Sequence, residues 1–313
     1  MDMFKNNPEE ALKYAIPLDD IGSTRGGNKS QLDLLKRWFD FSLLGNNSRS
    51  SSGSINLGDH YYELQKQYNA TAQELIKQKD YHKAAFIYMK LLKNNLMAAQ
   101  TLESGNHFQE AATIYLKHAG NKNKAAECYE KGNMTNEAIE IYKELNENEK
   151  VGDLYLTIRK RKEADLYFEK VVTNYKSKNQ YVKASLIYKN KMNNEQGGQS
   201  LLLEGWRSFK DPSNCLNNYF SNIRDIKILK REIETIYAND LNRQNSETFL
   251  QVIRHEYNKN NELSDSIREM AYEIVAAQIP KNPSIVSELK EFNLKDKELM
   301  KDTIRFKVNR KTK

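Results

Sequence analysis

A pair of residues, one small and one large four places later, recurs along the middle of this 313-residue chain at a nearly constant interval. The pairs are Ala84/Tyr88, Ala98/Leu102, Ala111/Tyr115, Ala125/Tyr129, Ala138/Tyr142, Val151/Tyr155, Ala164/Phe168 and Ala184/Tyr188. Their first members are separated by 14, 13, 14, 13, 13, 13 and 20 residues. Such a regular spacing indicates one structural unit repeated along the chain.

The pattern inside each unit predicts a short α-helix. Residues four apart lie one above the other on a helix, so the small side chain lets a neighbouring helix approach while the large one fills the gap beside it. Gly-Asn pairs at 105–106, 120–121 and 132–133 fall between units. We expect each glycine to take the left-handed conformation that ends a helix, and each asparagine to turn the chain or cap the next helix.

Repetition of this unit predicts an all-α fold. Each unit is expected to hold a helix of about ten residues and a short turn, so that two units make a hairpin of about 27 residues. A single hairpin cannot bury its apolar face alone, whereas stacked hairpins bury it against their neighbours. The sequence therefore predicts a right-handed α-solenoid of short helical hairpins with a C-terminal helical cap region.

Two segments carry a resemblance to a known family. "KAAECYEKG" (124–132) and "EAIEIYKEL" (137–145) resemble the second helix of the tetratricopeptide (TPR) repeat. The period near 27 is shorter than the usual 34 of that family, and its Trp-Leu-Gly signature is absent. The region 84–188 is more similar to the TPR-like short-helix solenoids of vesicle-coat and SNAP-type adaptors, and to solenoids that accompany β-propellers or ATPases. The resemblance implies a role in protein–protein interaction.

Composition shifts predict four regions. Residues 1–58 form an N-terminal segment with two short helices and a linker rich in Ser, Gly and Asn, and residues 59–200 form the solenoid. Residues 201–285 form the helical cap domain, after a turn expected over 190–199, and residues 286–313 form a basic tail. The tail contains Arg305, Lys307, Arg310, Lys311 and Lys313 without an acid among residues 303–313, which accounts for five of the net seven positive charges.

No motif in the sequence specifies a reaction. "GSTRGGNKS" (22–30) fails as a phosphate-binding loop because Asn28 separates Gly27 from Lys29, and none of the five histidines has a second metal ligand at a familiar spacing. Cys128 and Cys215 form no CxxC motif. We therefore expect a protein that is not an enzyme, has no cofactor, metal or small-molecule substrate, and resides in the cytoplasm, since neither a signal peptide nor a membrane span is recognised.

The sequence thus favours an interaction scaffold or adaptor that binds a peptide or a partner domain through the solenoid surface. Three alternatives stay open. The chain could be a membrane-traffic adaptor like the SNAP proteins, a helical subunit of an ATPase or β-propeller assembly, or a protein that binds nucleic acid or an anionic membrane surface through its basic tail.

Overall fold

The computed structural model describes residues 10, 11, 15, 18, 61–293 and 296–311. Throughout these ranges the ordered elements are helices, and no strand occurs among them, so the predicted all-α class is confirmed. The two short helices and the linker predicted within 1–58 lie outside the described residues, apart from the four positions just named. The chain divides into two compact units, Met1–Lys160 and Arg161–Lys313, here called unit 1 and unit 2.

Unit 1 is a succession of mostly ten-residue helices. These are α1 (Tyr61–Lys77), α2 (Tyr81–Phe86, continued by a π-helical turn over Ile87–Leu91), α3 (Asn95–Ser104), α4 (Phe108–Lys117), α5 (Lys122–Lys131), α6 (Thr135–Glu144) and α7 (Asn148–Thr157). Each helix packs against the next one in the chain. This sequential packing is what a solenoid-like arrangement requires, because each helix buries its apolar face against its neighbours.

Unit 2 continues the pattern and then changes to longer helices. Its elements are α8 (Arg161–Ser177), α9 (Tyr181–Asn190), α10 (Glu195–Arg207), α11 (Pro212–Ser221), α12 (Ile226–Asp240), α13 (Ser246–Lys259), α14 (Ser264–Gln278) and α15 (Lys297–Lys311), with 3₁₀ turns over Asn261–Leu263 and Pro283–Phe292. Helix α11 contacts both α9 and α13, so these three helices lie side by side. The sequence predicted a turn over 190–199, but α10 begins inside it, at Glu195, behind the cap that Asn194 provides.

A single residue in the left-handed conformation separates successive repeat helices. These residues are Lys79, Lys93, Asn106, Gly120, Asn133, Asn146, Arg159, Asn179 and Asn193, with φ between 49° and 63°. Each lies five positions before a small buried residue, from Ala84 through Ala184 and then Gly198. One left-handed residue ends a helix and reverses the chain, so the sequence rhythm of the small residues is also the rhythm of the turns.

Backbone hydrogen bonds in the turn link the large residue of one repeat pair to the small residue of the next pair. At the turn between α3 and α4, the N–H of His107 donates to the carbonyl oxygen of Leu102 over 2.9 Å, and the carbonyl of His107 accepts from the N–H of Ala111 over 3.0 Å. The large residue of one helix and the small residue of the next are thus joined through one intervening residue. This link satisfies backbone groups that a helix end would otherwise leave unpaired.

The alternation between 13 and 14 residues has a physical cause in these turns. Where the step is 14, the N–H of Asn94, Asn121 or Asn194 donates to the carbonyl of a tyrosine six residues earlier. The side chain of the same asparagine accepts from a backbone N–H of the next helix and so caps it. In the turns of the 13-residue steps the corresponding bond spans five residues. The extra residue therefore belongs to an asparagine-capped turn.

The left-handed conformation predicted for the glycine of each Gly-Asn pair is wrong at two of the three sites, whereas the asparagine turns the chain or caps the next helix at all three. Gly120 is left-handed with φ 63°, as expected, but Gly105 and Gly132 have φ of −85° and −83°. At those turns the following asparagine, Asn106 or Asn133, takes the left-handed conformation instead. The reason for glycine is space, since a β-carbon on Gly105 would lie 2.5 Å from the ring of Tyr81.

Part of the arrangement recurs one hundred residues later. Helices α1 and α8 each have 17 residues, and the helices that follow begin at Tyr81 and Tyr181. A β-carbon on Gly205 would approach Tyr181 to 2.9 Å, as one on Gly105 would approach Tyr81. The seven extra residues of the long helices equal about two helical turns, so the packing face is kept and the 20-residue step is a 13-residue step plus two turns.

Candidate functional site

The predicted repeat residues form the interior of both units. All eight small residues are completely buried: Ala84, Ala98, Ala111, Ala125, Ala138, Val151, Ala164 and Ala184. Of the large residues, Tyr88, Tyr115, Tyr142 and Phe168 are buried, whereas Tyr129, Tyr155 and Tyr188 are half-buried. These residues pack the helices together. A binding surface therefore has to consist of other side chains.

Tyrosines of the repeat donate hydrogen bonds to carboxylates through their hydroxyl groups. The hydroxyl of Tyr115 donates to Glu103 over 3.1 Å and that of Tyr142 donates to Glu130 over 3.2 Å, so the contact recurs with the 27-residue hairpin period. In unit 2, the Tyr188 hydroxyl donates to Glu169 over 3.0 Å, and burial together with this carboxylate raises the pKa of Tyr188 to about 12. These tyrosines remain protonated at neutral pH and serve as hydrogen-bond donors.

The basic tail is only partly described. The side chain of Arg305 is exposed and pairs with Asp302 one helical turn earlier, at 3.4 Å. Lys307, Arg310 and Lys311 belong to α15, but their side chains lie outside the described part of the structure, as does Lys313 entirely. Surface pairs such as Arg305–Asp302 contribute little to stability. The tail therefore stays a predicted electrostatic surface.

Two histidines that the sequence places 25 positions apart meet in unit 1. Nε2 of His82 lies 3.1 Å from Nδ1 of His107, and Nδ1 of His82 lies 3.1 Å from a carboxylate oxygen of Glu110. Among the described residues, no three His, Cys, Asp or Glu side chains are placed to hold a metal ion. Glu110 reaches the ring nitrogen that faces away from His107, so the three groups form a hydrogen-bonded chain.

A polar cleft, called the first cleft, opens between α9, α10 and α11 of unit 2. Its volume is about 360 Å³. It is lined by Ser185, Leu186, Lys189, Glu195, Gly198, Gln199, Asn218, Asn222 and Arg224. Gly198 allows the floor to form, because a β-carbon there would lie only 3.1 Å from the carbonyl oxygen of Ser185. A small residue at the repeat position thus brings α10 close to α9 beneath the cleft.

A hydrogen-bonded row of side chains runs through the first cleft. Lys189 Nζ donates to Asn222 Oδ1 over 2.9 Å, and Asn222 Nδ2 donates to Gln199 Oε1 over 3.3 Å. Gln199 Nε2 in turn donates to the backbone carbonyl of Tyr219 over 3.3 Å. The row fixes which amide atoms are donors and which are acceptors. Each amide retains one further N–H or lone pair with which it can bind a ligand.

The charges at the first cleft are mostly positive. Lys189 and Arg224 are both exposed, against the single carboxylate of Glu195. Among the described residues, Arg224 has no ion-pair partner at all. A guanidinium group without a partner is a ready donor for a carboxylate, which it binds through two parallel hydrogen bonds.

The equivalent side chains in unit 1 are more buried than those at the first cleft. One hundred residues before Leu186 and Lys189 stand Phe86 and Met89. Phe86 and Met89 are only 2% and 6% exposed, whereas Leu186 is 45% exposed. The same face of the second helix is therefore covered in unit 1 and open in unit 2, where a leucine side chain lies beside the amide row.

A second cleft, of about 490 Å³, lies on the other flank of α11. It is lined by Ser213 and Asn217 of α11 and by Gln251, Arg254, His255 and Asn258 of α13. None of these lining residues is acidic, although Arg254 pairs with Glu288 at 3.2 Å. The side-chain oxygen of Asn217 is buried and has no hydrogen-bond partner in the described part of the chain. This oxygen is shielded from solvent, so it belongs to the packed base of the cleft and not to its open surface.

Sequence reasoning did not find either cleft. Their residues come from four helices and a loop, and no short motif holds them together. One signal was present in α11, where Asn214, Asn217, Asn218 and then Asn222 crowd a short segment. Asparagine is a poor helix former, so its accumulation on one helix is a sign that the side chains serve another purpose.

Comparisons of the chain with protein-family models, with curated proteins and with solved structures gave no match. In the described part of the chain, no helix is both long enough and apolar enough to cross a membrane.

Proposed function

We propose that the chain is a non-catalytic interaction scaffold and that the first cleft of unit 2 binds an extended peptide segment of a partner protein. One observation carries the proposal. An exposed leucine, Leu186, lies beside a row of amide side chains, at a position where the equivalent Phe86 of unit 1 is covered.

The chemistry of the cleft matches that of a peptide backbone. Every peptide unit offers one N–H donor and one carbonyl acceptor, and an asparagine or glutamine amide offers the complementary pair. Asn218, Asn222 and Gln199 present three such amides next to an apolar contact at Leu186. A short extended segment can use all of them at once, in the way that peptide grooves combine backbone hydrogen bonds with a side-chain pocket.

The proposed location is the cytoplasm. Cys128 and Cys215 are both free and buried, in different units. Burial raises the pKa of the Cys128 thiol to about 11 and that of Cys215 to about 12. Inert, unpaired thiols of this kind are the usual state of cysteines in a reducing compartment.

The test is selection of binding peptides from a random display library against the full chain, followed by affinity measurement on the selected peptides. The variant Asn218→Ala/Asn222→Ala removes two amides and is expected to weaken binding by about tenfold or more, because each hydrogen bond contributes about 1 kcal/mol. The matched control, Asn239→Ala, changes an exposed asparagine on α12 outside both clefts.

Thermal unfolding of both variants checks that the fold is intact. Equal affinities for the wild type and the double variant would contradict the proposal. So would a selection that yields no peptide above background.

A further inference from the structure

Helix α11 forms a low ridge between the two clefts. Its inner side is buried through Cys215, Leu216, Tyr219 and Phe220. On one flank, Asn218 and Asn222 line the first cleft, and on the other flank Ser213 and Asn217 line the second. Asn214 and Ser221, which lie between these flanks on the helix surface, are exposed. The ridge therefore presents short polar side chains, over which another chain can pass closely.

Each of the two clefts has an arginine in its lining. The first contains Lys189 and Arg224 against Glu195, and the second contains Arg254 with no acid in its lining. In the part of the chain that the structure describes, the carboxylate of Glu288 pairs with Arg254 and offsets its charge. A ligand that reaches both clefts is favoured if it carries negative charge at two separate points.

We propose that the segment bound by unit 2 is an acidic peptide that crosses α11, with one carboxylate side chain in each cleft. This inference rests on the proposed function and specifies its ligand. Arg224 and Lys189 bind one carboxylate, and Arg254 binds the other in exchange for or alongside Glu288. The backbone between them lies on the ridge, over the exposed Asn214 and Ser221.

The geometry predicts the spacing of the two acidic residues. The Asn218/Asn222 and Ser213/Asn217 pairs are centred five residues apart on α11, which is about 7.5 Å along its axis. Clefts on opposite flanks of a helix are separated across it by about one interaxial distance of 8–10 Å, so the two centres are about 12 Å apart. An extended chain spans that distance in about four residues.

Fluorescence anisotropy with labelled synthetic peptides tests the inference on the full chain. The peptides share an alanine–serine backbone and carry two glutamates separated by two, four or eight positions, or two glutamines in their place. We expect the four-position peptide to bind about tenfold more tightly than the glutamine peptide, with about threefold from each exposed charge pair. The advantage should shrink as salt is added.

Two variants locate the charges. Arg224→Ala removes an exposed cation that has no ion-pair partner among the described residues, so the fold does not depend on it. Arg254→Gln keeps a hydrogen-bond donor near Glu288. Each is expected to remove about threefold of the affinity for the four-position peptide and to leave the glutamine peptide unaffected. Arg243→Ala, an exposed arginine outside both clefts, is the control.

The outcomes separate this inference from the proposed function. If the glutamate and glutamine peptides bound with equal affinity, and Asn218→Ala/Asn222→Ala still weakened the binding of both, the ligand would not need to be acidic. That result would contradict this inference and would still support peptide binding at the first cleft. Equal affinities for the peptides with glutamates two, four and eight positions apart would contradict the proposal that the peptide crosses α11. Equal binding of a single-stranded oligonucleotide, sensitive to the same two arginines, would show a general polyanion site and also overturn the inference.

Discussion

Gly105 lies directly against the ring of Tyr81, so that a β-carbon on the glycine would come within 2.5 Å of two ring atoms. The contact joins the end of α3 to the start of α2. Its counterpart in unit 2 joins Gly205 to Tyr181. The recurrence shows that this position requires glycine because the helix end packs closely on a tyrosine ring. The conformational freedom of the glycine backbone is not the reason.

Substitution Gly105→Ala is therefore expected to lower the free energy of unfolding by about 1–3 kcal/mol, because the added methyl group overpacks a filled site. Urea unfolding monitored by circular dichroism measures the change. Ser104→Ala, one residue earlier and exposed, should stay within about 0.5 kcal/mol of the wild type. A Gly105→Ala protein as stable as that control would show that Tyr81 moves aside freely.

Substitution Arg159→Gly is expected to stabilise unit 1. Arg159 holds the left-handed conformation at φ 59°, which costs a residue with a β-carbon about 1–2 kcal/mol. Part of this gain is lost to the greater freedom of glycine in the unfolded chain, so the expected net gain is about 0.5–1 kcal/mol. The same change at Asn146, also left-handed, should have almost no effect, since asparagine tolerates that conformation. Loss of stability in Arg159→Gly would contradict the assignment of strain to this turn.

The stability of unit 1 should decline at alkaline pH partly through Cys128. Burial, aided by the nearby Glu103 carboxylate, raises the pKa of this thiol to about 11 in the folded protein. The unfolded thiol ionises near pH 8.5, so the contribution to stability is complete below about pH 8.5 and is lost as the pH rises toward the folded pKa. Urea unfolding from about pH 8 to about pH 10.5 should therefore show a shallower decline for Cys128→Ala than for the wild type.

Cys215→Ala is the matched control variant, because burial also raises the pKa of Cys215, which belongs to unit 2. Tyrosine ionisation lowers the stability of all three proteins alike. If the wild type and Cys128→Ala declined with the same slope, the buried thiol would not contribute to the pH dependence.

Neutralising the tail should separate peptide binding from the alternative functions. Replacement of Arg305, Lys307, Arg310, Lys311 and Lys313 by glutamine is expected to leave peptide affinity unchanged, because the proposed site lies on α9, α10, α11 and α13. Any binding to anionic vesicles or single-stranded DNA that depends on the tail should fall steeply with salt in the wild type and vanish in the variant. Peptide binding that disappears together with the tail charges would contradict the assignment to the clefts.

The interior of the repeats was accessible to sequence reasoning because it depends on local spacing. A small residue and a large residue four places apart mark one helix face wherever they occur, so Ala111, Ala125 and Ala138 could be assigned to helices without coordinates. The left-handed residue of each turn also follows this spacing, because it lies five positions before the small residue, at Asn106 or at Gly120. The need for glycine at 105 could not be predicted in the same way, because it depends on the clearance from Tyr81, which is 24 positions away.

The candidate site could not be predicted from the sequence for a related reason. Lys189 and Asn222 form one hydrogen bond across 33 positions, and Arg224 enters the same cleft from a loop. No periodicity predicts which exposed polar residues will converge, because the convergence depends on how helices pack rather than on any one helix. The contact between His82 on α2 and His107 in the turn before α4 could not be predicted for the same reason.

Photo-crosslinking of a bound peptide tests the central claim most directly. A selected peptide carrying a benzophenone group at its centre is irradiated with the full chain, and the crosslinked residues are identified by mass spectrometry. The account predicts crosslinks on the ridge and its flanks, within Pro212–Ser221 of α11 and at Leu186 or Asn258 beside it. Crosslinks confined to α12, or to any helix of unit 1, would contradict it.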